Sequence, residues 1–177
     1  MITTPQLQKK SKALLERCGV IAAPVDVHRI AASLGLIVRE APFDSDMSGF
    51  LYQDQDQAVV GINRSHSNVR RRFTLAHEVG HHVLHQRGTT YVDRHAGPTV
   101  LRRDQHSRDG TDRKEIEANS FAAELLMPVH FLERDVLKLQ DTYDGDELIL
   151  KLSRKYEVSA QAMTIRLFKL GYIDQLL

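Results

Sequence analysis

The segment His77-Glu78-Val79-Gly80-His81 constrains the fold of this 177-residue chain more than any other. A helix carries residues four apart on one face, so both imidazoles can hold one metal ion only if this stretch is helical and rigid. The flanking pattern supplies that rigidity. Phe73, Ala76, Gly80, Val83 and Leu84 recur at helical offsets, and Ser65 or Ser67 is placed to cap a helix running to about His85. Two imidazoles flanking a carboxylate point to metal-assisted hydrolysis, with Glu78 as the base that takes a proton from water. Such a short motif also arises by chance in unrelated helices, so the reading depends on a third ligand and on some means of holding substrate.

The third ligand is expected from a neighbouring element, as a carboxylate or an imidazole. Glu115 is the leading candidate. It opens the stretch Glu115 to Met127, which reads as a helix capped by Asp112 and stopped at Pro128, and Asn119 lies one turn later on the same face, where it can hydrogen-bond a ligating histidine. Glu117 is rotated about 200 degrees from Glu115 and points elsewhere. The plainer alternative is that Glu115 only completes a capping box with Asp112. His95 or His106 can replace it, or either of them or Tyr91 can donate to a tetrahedral intermediate. His82 faces about 100 degrees from His81, while His85 falls on the metal-bearing face and lines the cleft.

Around this pair the chain reads as an α+β domain. Gln6 to Arg17 and Val25 to Leu34 are helical, each closed by a glycine, Gly19 and Gly35. Three short strands follow: Leu36 to Glu40, Ser48 to Gln53 and Ala58 to Ile62, the last two joined by the polar turn Asp54 to Gln57 as a hairpin. A strand such as Ala58 to Ile62, if it lies at a sheet edge, can add an extended substrate segment by main-chain hydrogen bonds. Gln86 to Thr111 has no sustained period and reads as a long loop with one short strand at Thr90 to Asp93. Glu147 to Tyr156 and Ser159 to Leu170 are amphipathic helices closed by Gly171. Residues 1–130 are thus expected to form the core, with the three-stranded sheet and the Glu115 helix packed on the histidine helix, and residues 131–177 a helical lobe.

Composition narrows the function classes. A net charge of +1 gives no overall pull toward nucleic acid, and 42% hydrophobic residues suffice for a globular core. One cysteine, Cys18, excludes an internal disulfide, and it reads as a small buried hydrophobe. With no signal sequence or long apolar run, the expectation is a cytoplasmic protein without a membrane partner. The cluster Arg70-Arg71-Arg72 with Arg64, and Arg102-Arg103, reads as a solvated face, although Arg72 can also pair with a carboxylate or hold a substrate backbone.

Two stretches together, Arg72 to His81 and Glu115 to Pro128, closely resemble the ImmA/IrrE family of bacterial and phage metallopeptidases, and Val158-Ser159 through Gly171 resembles that family's helical C-terminal segment. The resemblance implies a minimal gluzincin-like, zincin-type core with His77, His81 and Glu115 as ligands, Glu78 as general base and Asn119 behind a ligating histidine. It implies zinc, with manganese accepted by the same donor set. It also implies a protein substrate, a helix-turn-helix repressor or antitoxin cut at one site so that genes switch on.

Two rivals remain. The tail also looks like a helix-turn-helix, with Ser159, Gln161, Thr164 and Arg166 available to DNA, which makes a DNA-binding regulator with a structural or sensory metal site the alternative. Only modest basicity and the apolar set Val158, Ala162, Ile165 and Leu167 to Leu170 argue instead for packing on the core. A sensor whose metal only gates partner binding is the third class.

Overall fold

The computed structural model describes residues 2–44, 46–85, 91–93, 111–143 and 145–173. The chain enters through α1, Thr4–Arg17, and α2, Val27–Ser33, whose N-cap Asp26 accepts the Arg29 amide at 3.0 Å. Three strands follow, β1 Leu36–Ala41, β2 Gly49–Gln53 and β3 Ala58–Asn63, and then the histidine helix α3, Asn68–Leu84.

The sheet has the order β1-β3-β2-β4, with β4 a short strand at Tyr91–Asp93 that pairs antiparallel with β2. The three expected strands are therefore joined by the short one read inside the long segment. The expected hairpin forms, with Gln53 opposite Ala58, and Asp54 Oδ1 closes its turn by accepting the amides of Asp56 and Gln57 at 2.9 Å each. The edge placement of Ala58 to Ile62 does not hold. β1 pairs in parallel along the other side of β3, from Leu36 opposite Ala58 to Ala41 opposite Asn63, so β3 is interior. Val60, Gly61, Ile62 and Asn63 are consecutively buried, as a strand enclosed on both faces requires. The buried Asn63 side chain holds the β1–β2 connection beneath it, donating to Met47 O at 2.8 Å and Asp44 O at 3.2 Å and accepting from the Phe43 amide at 3.3 Å.

α3 packs against β2 and β3 and, more extensively, against α4, Thr111–Leu126. Its residues are buried without interruption from Phe73 to His81, so the central turns are enclosed on every side. The α4 helix ends before Pro128, as expected. A further helix beyond those expected, α5, Val129–Leu139, buries Phe131, Leu132 and Val136 together with a charged residue, Asp135.

The last helices are α6, Gly145–Tyr156, and α7, Ala160–Lys169. Tyr156 Oη donates to Asp135 Oδ2 at 2.8 Å and Lys155 Nζ lies 2.7 Å from Asp135 Oδ1, tying α6 to α5. Glu157 makes the turn into α7 with φ of 52°. One apolar cluster runs through the described residues from Leu7, Leu15 and Ile30 to Phe121, Leu152 and Leu167, so the C-terminal helices share the core of the rest. Cys18 is buried in it, as expected, with its Sγ 3.1 Å from Ser33 Oγ.

Candidate metal centre

α3 and α4 bring together the two histidines and the glutamate that the sequence placed apart. His77 Nε2 lies 3.1 Å from Glu115 Oε2, His81 Nε2 lies 3.2 Å from Glu115 Oε1, and the two Nε2 atoms are 3.0 Å apart. Among the described residues, His77, His81 and Glu115 form a group that can hold a metal ion, their donor atoms all within 4.8 Å of one another.

The donors fit such an ion on two counts. Ligand bonds of about 2.0–2.1 Å in a tetrahedral site set neighbouring donors about 3.3 Å apart, close to the spacings found. Each histidine is also gripped from behind. His77 Nδ1 meets Asn119 Oδ1 at 3.1 Å, the contact expected of Asn119, so the Nδ1–H donates and Nε2 keeps its lone pair. His77 and His81 are 1% exposed while the Glu115 side chain is 34% exposed, so the group is open from the glutamate side.

The electrostatics suit the same set. Burial pushes His81 below the ordinary histidine range against the pull of Glu115, which favours the neutral imidazole that a metal needs. Burial alone would raise the Glu115 carboxyl, yet its place against the rings of His77 and His81 brings it down to about 2, so it stands as a carboxylate. Glu78 is fully buried on the same helix, its carboxylate beneath β2, where a Cβ added at Gly49 would stand 3.7 Å from Glu78 Oε1.

Two features lay beyond the sequence reading. The first is Gly80, inside the histidine motif. A Cβ there would stand 3.1 Å from Ala118 O and 3.2 Å from Ala118 Cα, so the missing side chain lets α4 approach closely enough for Glu115 to reach the histidines. Gly80→Ala gains about 1 kcal/mol of helix propensity but crowds a packed interface at about 1–3 kcal/mol. The expected result is a small loss of stability with a clear loss of metal affinity, read by melting and by calorimetric zinc titration, and an unchanged affinity would contradict it.

The second is a set of contacts behind His81. His81 Nδ1 lies 3.1 Å from His85 Nδ1, and His85 Nε2 lies 3.3 Å from Glu117 Oε2. Glu117 does point away from the metal group, as expected, but it ends on His85. His82 turns the other way, its Nδ1 3.1 Å from Gln53 Oε1.

Other sequence candidates take structural places. Arg72 Nη1 pairs with Glu157 Oε2 at 3.2 Å and Arg72 Nη2 donates to Val25 O at 3.0 Å, so it clamps the start of α3 to the α6–α7 turn. Of the four tail residues proposed to meet DNA, Thr164 and Arg166 are buried, and Ser159 Oγ accepts the Ala162 amide at 3.1 Å. Only Gln161 is exposed. The side chains of Tyr91 and Asp112, with His95, His106, Arg102 and Arg103, lie outside the described residues.

A family model for the IrrE N-terminal-like domain, a peptidase family, matches residues 31–168. A protein named "Uncharacterized immunity region protein 2", from Bacillus phage phi105, is 31% identical over 101 residues, which are 57% of this chain and 58% of that protein. A solved transcriptional regulator of Mycobacterium tuberculosis superimposes with a TM-score of 0.56 at 18% identity, over 92% of this chain and 46% of its own length. The chain thus spans about half the length of the relatives it matches, and the second likeness is one of fold.

Proposed function

The chain belongs to the ImmA/IrrE family of peptidases, and on that premise we propose that it is a metal-dependent endopeptidase that cuts a partner protein at one site. The partner is a helix-turn-helix repressor or antitoxin, and its cleavage relieves transcriptional repression. The observation that carries this reading is the convergence of His77 Nε2, His81 Nε2 and the Glu115 carboxylate within 4.8 Å. Glu78 lies on the same helix as both histidines.

His77, His81 and Glu115 hold the ion, zinc by default and manganese on the same donors. When bound, the ion supplies Lewis acidity that acidifies water and polarises a peptide carbonyl. Glu78 takes a proton from the attacking water on a carboxylate oxygen. It returns that proton to the leaving amine nitrogen as the carbon–nitrogen bond breaks. Asn119 Oδ1 keeps the His77 proton on Nδ1 throughout. Because β3 is interior, the strand edges that the described residues offer to an extended substrate are those of β1 and β4, of which β4 lies beside β2.

A phage immunity-region relative supports a repressor as the partner, and a repressor would place the reaction in the cytoplasm. Among the described residues, no helix is long and apolar enough to cross a membrane. The DNA-binding alternative loses ground because Ser159, Thr164 and Arg166 are spent on internal contacts.

The test is incubation of the purified chain with any small helix-turn-helix repressor found encoded beside it, with zinc and with a chelator, the products sized by mass spectrometry. One metal-dependent cut is expected. An intact repressor beside strongly salt-dependent duplex binding by this chain would favour the regulator, and metal-dependent association without a cut would favour the sensor.

A further inference from the structure

The two histidines of the metal group are backed by unlike partners. His77 Nδ1 meets one amide oxygen, that of Asn119, at 3.1 Å. Behind His81 stands a row: His81 Nδ1 to His85 Nδ1 at 3.1 Å, His85 Nε2 to Glu117 Oε2 at 3.3 Å, and Glu117 Oε1 accepting the Ile2 backbone amide at 2.8 Å.

With both imidazoles neutral, one placement of protons along this row leaves His81 Nε2 with a lone pair for a cation. His81 then carries its proton on Nδ1 and donates it to His85 Nδ1. His85, having accepted there, carries its own proton on Nε2 and donates it to Glu117. Glu117 is only 7% exposed, and a buried carboxylate is costly unless its oxygens are hydrogen-bonded. Ile2 engages one oxygen and His85 the other, so the row that orients His81 is also what makes the burial of Glu117 tolerable.

We propose that His85 and Glu117 are positioning residues of the metal centre, a relay that fixes the tautomer and ring orientation of His81 and is anchored at its far end by the Ile2 amide. This rests on the metal-site reading above. The relay comes from both helices of the site, His85 one turn after His81 at the end of α3 and Glu117 two residues after Glu115 on α4. It does for His81 what Asn119 does for His77, but through an anionic terminus, which raises the donor strength of the ring more than a neutral amide can.

The experiment strips the full chain of metal and titrates zinc or cobalt ions alone into the unaltered protein, His85→Ala, Glu117→Ala and Glu117→Gln, with melting of each metal-free form. The two alanine variants are expected to bind zinc about 10- to 100-fold more weakly and to alter the visible spectrum of the cobalt form. Glu117→Gln keeps the shape and an oxygen that can accept from His85, so a smaller but measurable loss is expected, and it keeps the test decisive if an alanine variant does not fold. Residues that only pack would lower the melting temperature and leave zinc affinity and cobalt spectrum as in the unaltered chain, and that result overturns the relay. Failure of the unaltered chain to bind either ion overturns the metal site and the relay together.

Discussion

Glu78→Gln is expected to slow cleavage of the partner protein by about a hundred- to ten-thousand-fold, while zinc affinity and melting temperature stay close to those of the unaltered chain. On the tenfold-per-1.36 kcal/mol scale this is roughly 3–5 kcal/mol of transition-state stabilisation, removed without removing an atom of bulk. Glutamine has the shape of glutamate but cannot take a proton from water at neutral pH. Glu78 is fully buried beneath β2 and glutamine fills the same volume, so melting of the variant separates a chemical effect from a packing one. That separates it from changes at His77, His81 or Glu115, which should lose the ion and the reaction together. The measurement is a cleavage time course with zinc titration and melting of the same preparations. Cleavage within tenfold of the unaltered rate would take the base role away from Glu78.

The parts of this site that the sequence made legible are those governed by a single helix. His77 and His81 follow from the helical repeat, and Asn119 follows from Glu115 by the same spacing on α4. What stayed hidden depends on how two elements cross. Nothing in the local pattern says that Gly80 faces Ala118, or that His85, on the metal-bearing face of its helix, meets Glu117, which points away from the metal. The sheet divides in the same way. The β2–β3 hairpin was readable from its turn, but the parallel pairing of β1 with β3 joins residues 22 positions apart, Leu36 with Ala58, and no local signal marks it. Asp135 interrupts the apolar face of α5 and so hides the helix in the sequence, although Phe131, Leu132 and Val136 keep helical spacing. Buried charges such as Asp135 and Arg166 mislead a sequence reading because charge ordinarily marks solvent, and only the fold supplies the partners that make their burial affordable.

Arg166→Ala is expected to destabilise the chain by about 3–5 kcal/mol, since it breaks a buried ion pair by removing one partner. Arg166 is 8% exposed and Glu124 4%, and Arg166 Nη2 is hydrogen-bonded to Glu124 Oε2. Arg166 Nε also donates to Met127 O at 3.1 Å, and Glu124 Oε1 accepts the Val129 amide at 3.3 Å. This one junction thus stitches the end of α4, the start of α5 and the middle of α7. Alanine would leave the Glu124 carboxylate buried without this cation and the Met127 carbonyl without this donor. Against a typical domain stability of about 5–15 kcal/mol, that is a large fraction, read as a lower denaturant midpoint. Replacing the pair by apolar residues of similar volume, Arg166→Met with Glu124→Leu, should recover much of the loss, because the cost lies in the stranded charge. The DNA-binding alternative makes the opposite forecast for Arg166→Ala: weaker duplex binding at unchanged stability. An unfolding midpoint equal to that of the unaltered chain would return Arg166 to the surface and reopen that alternative, whereas a steep loss makes α7 a structural brace for the helix that carries Glu115.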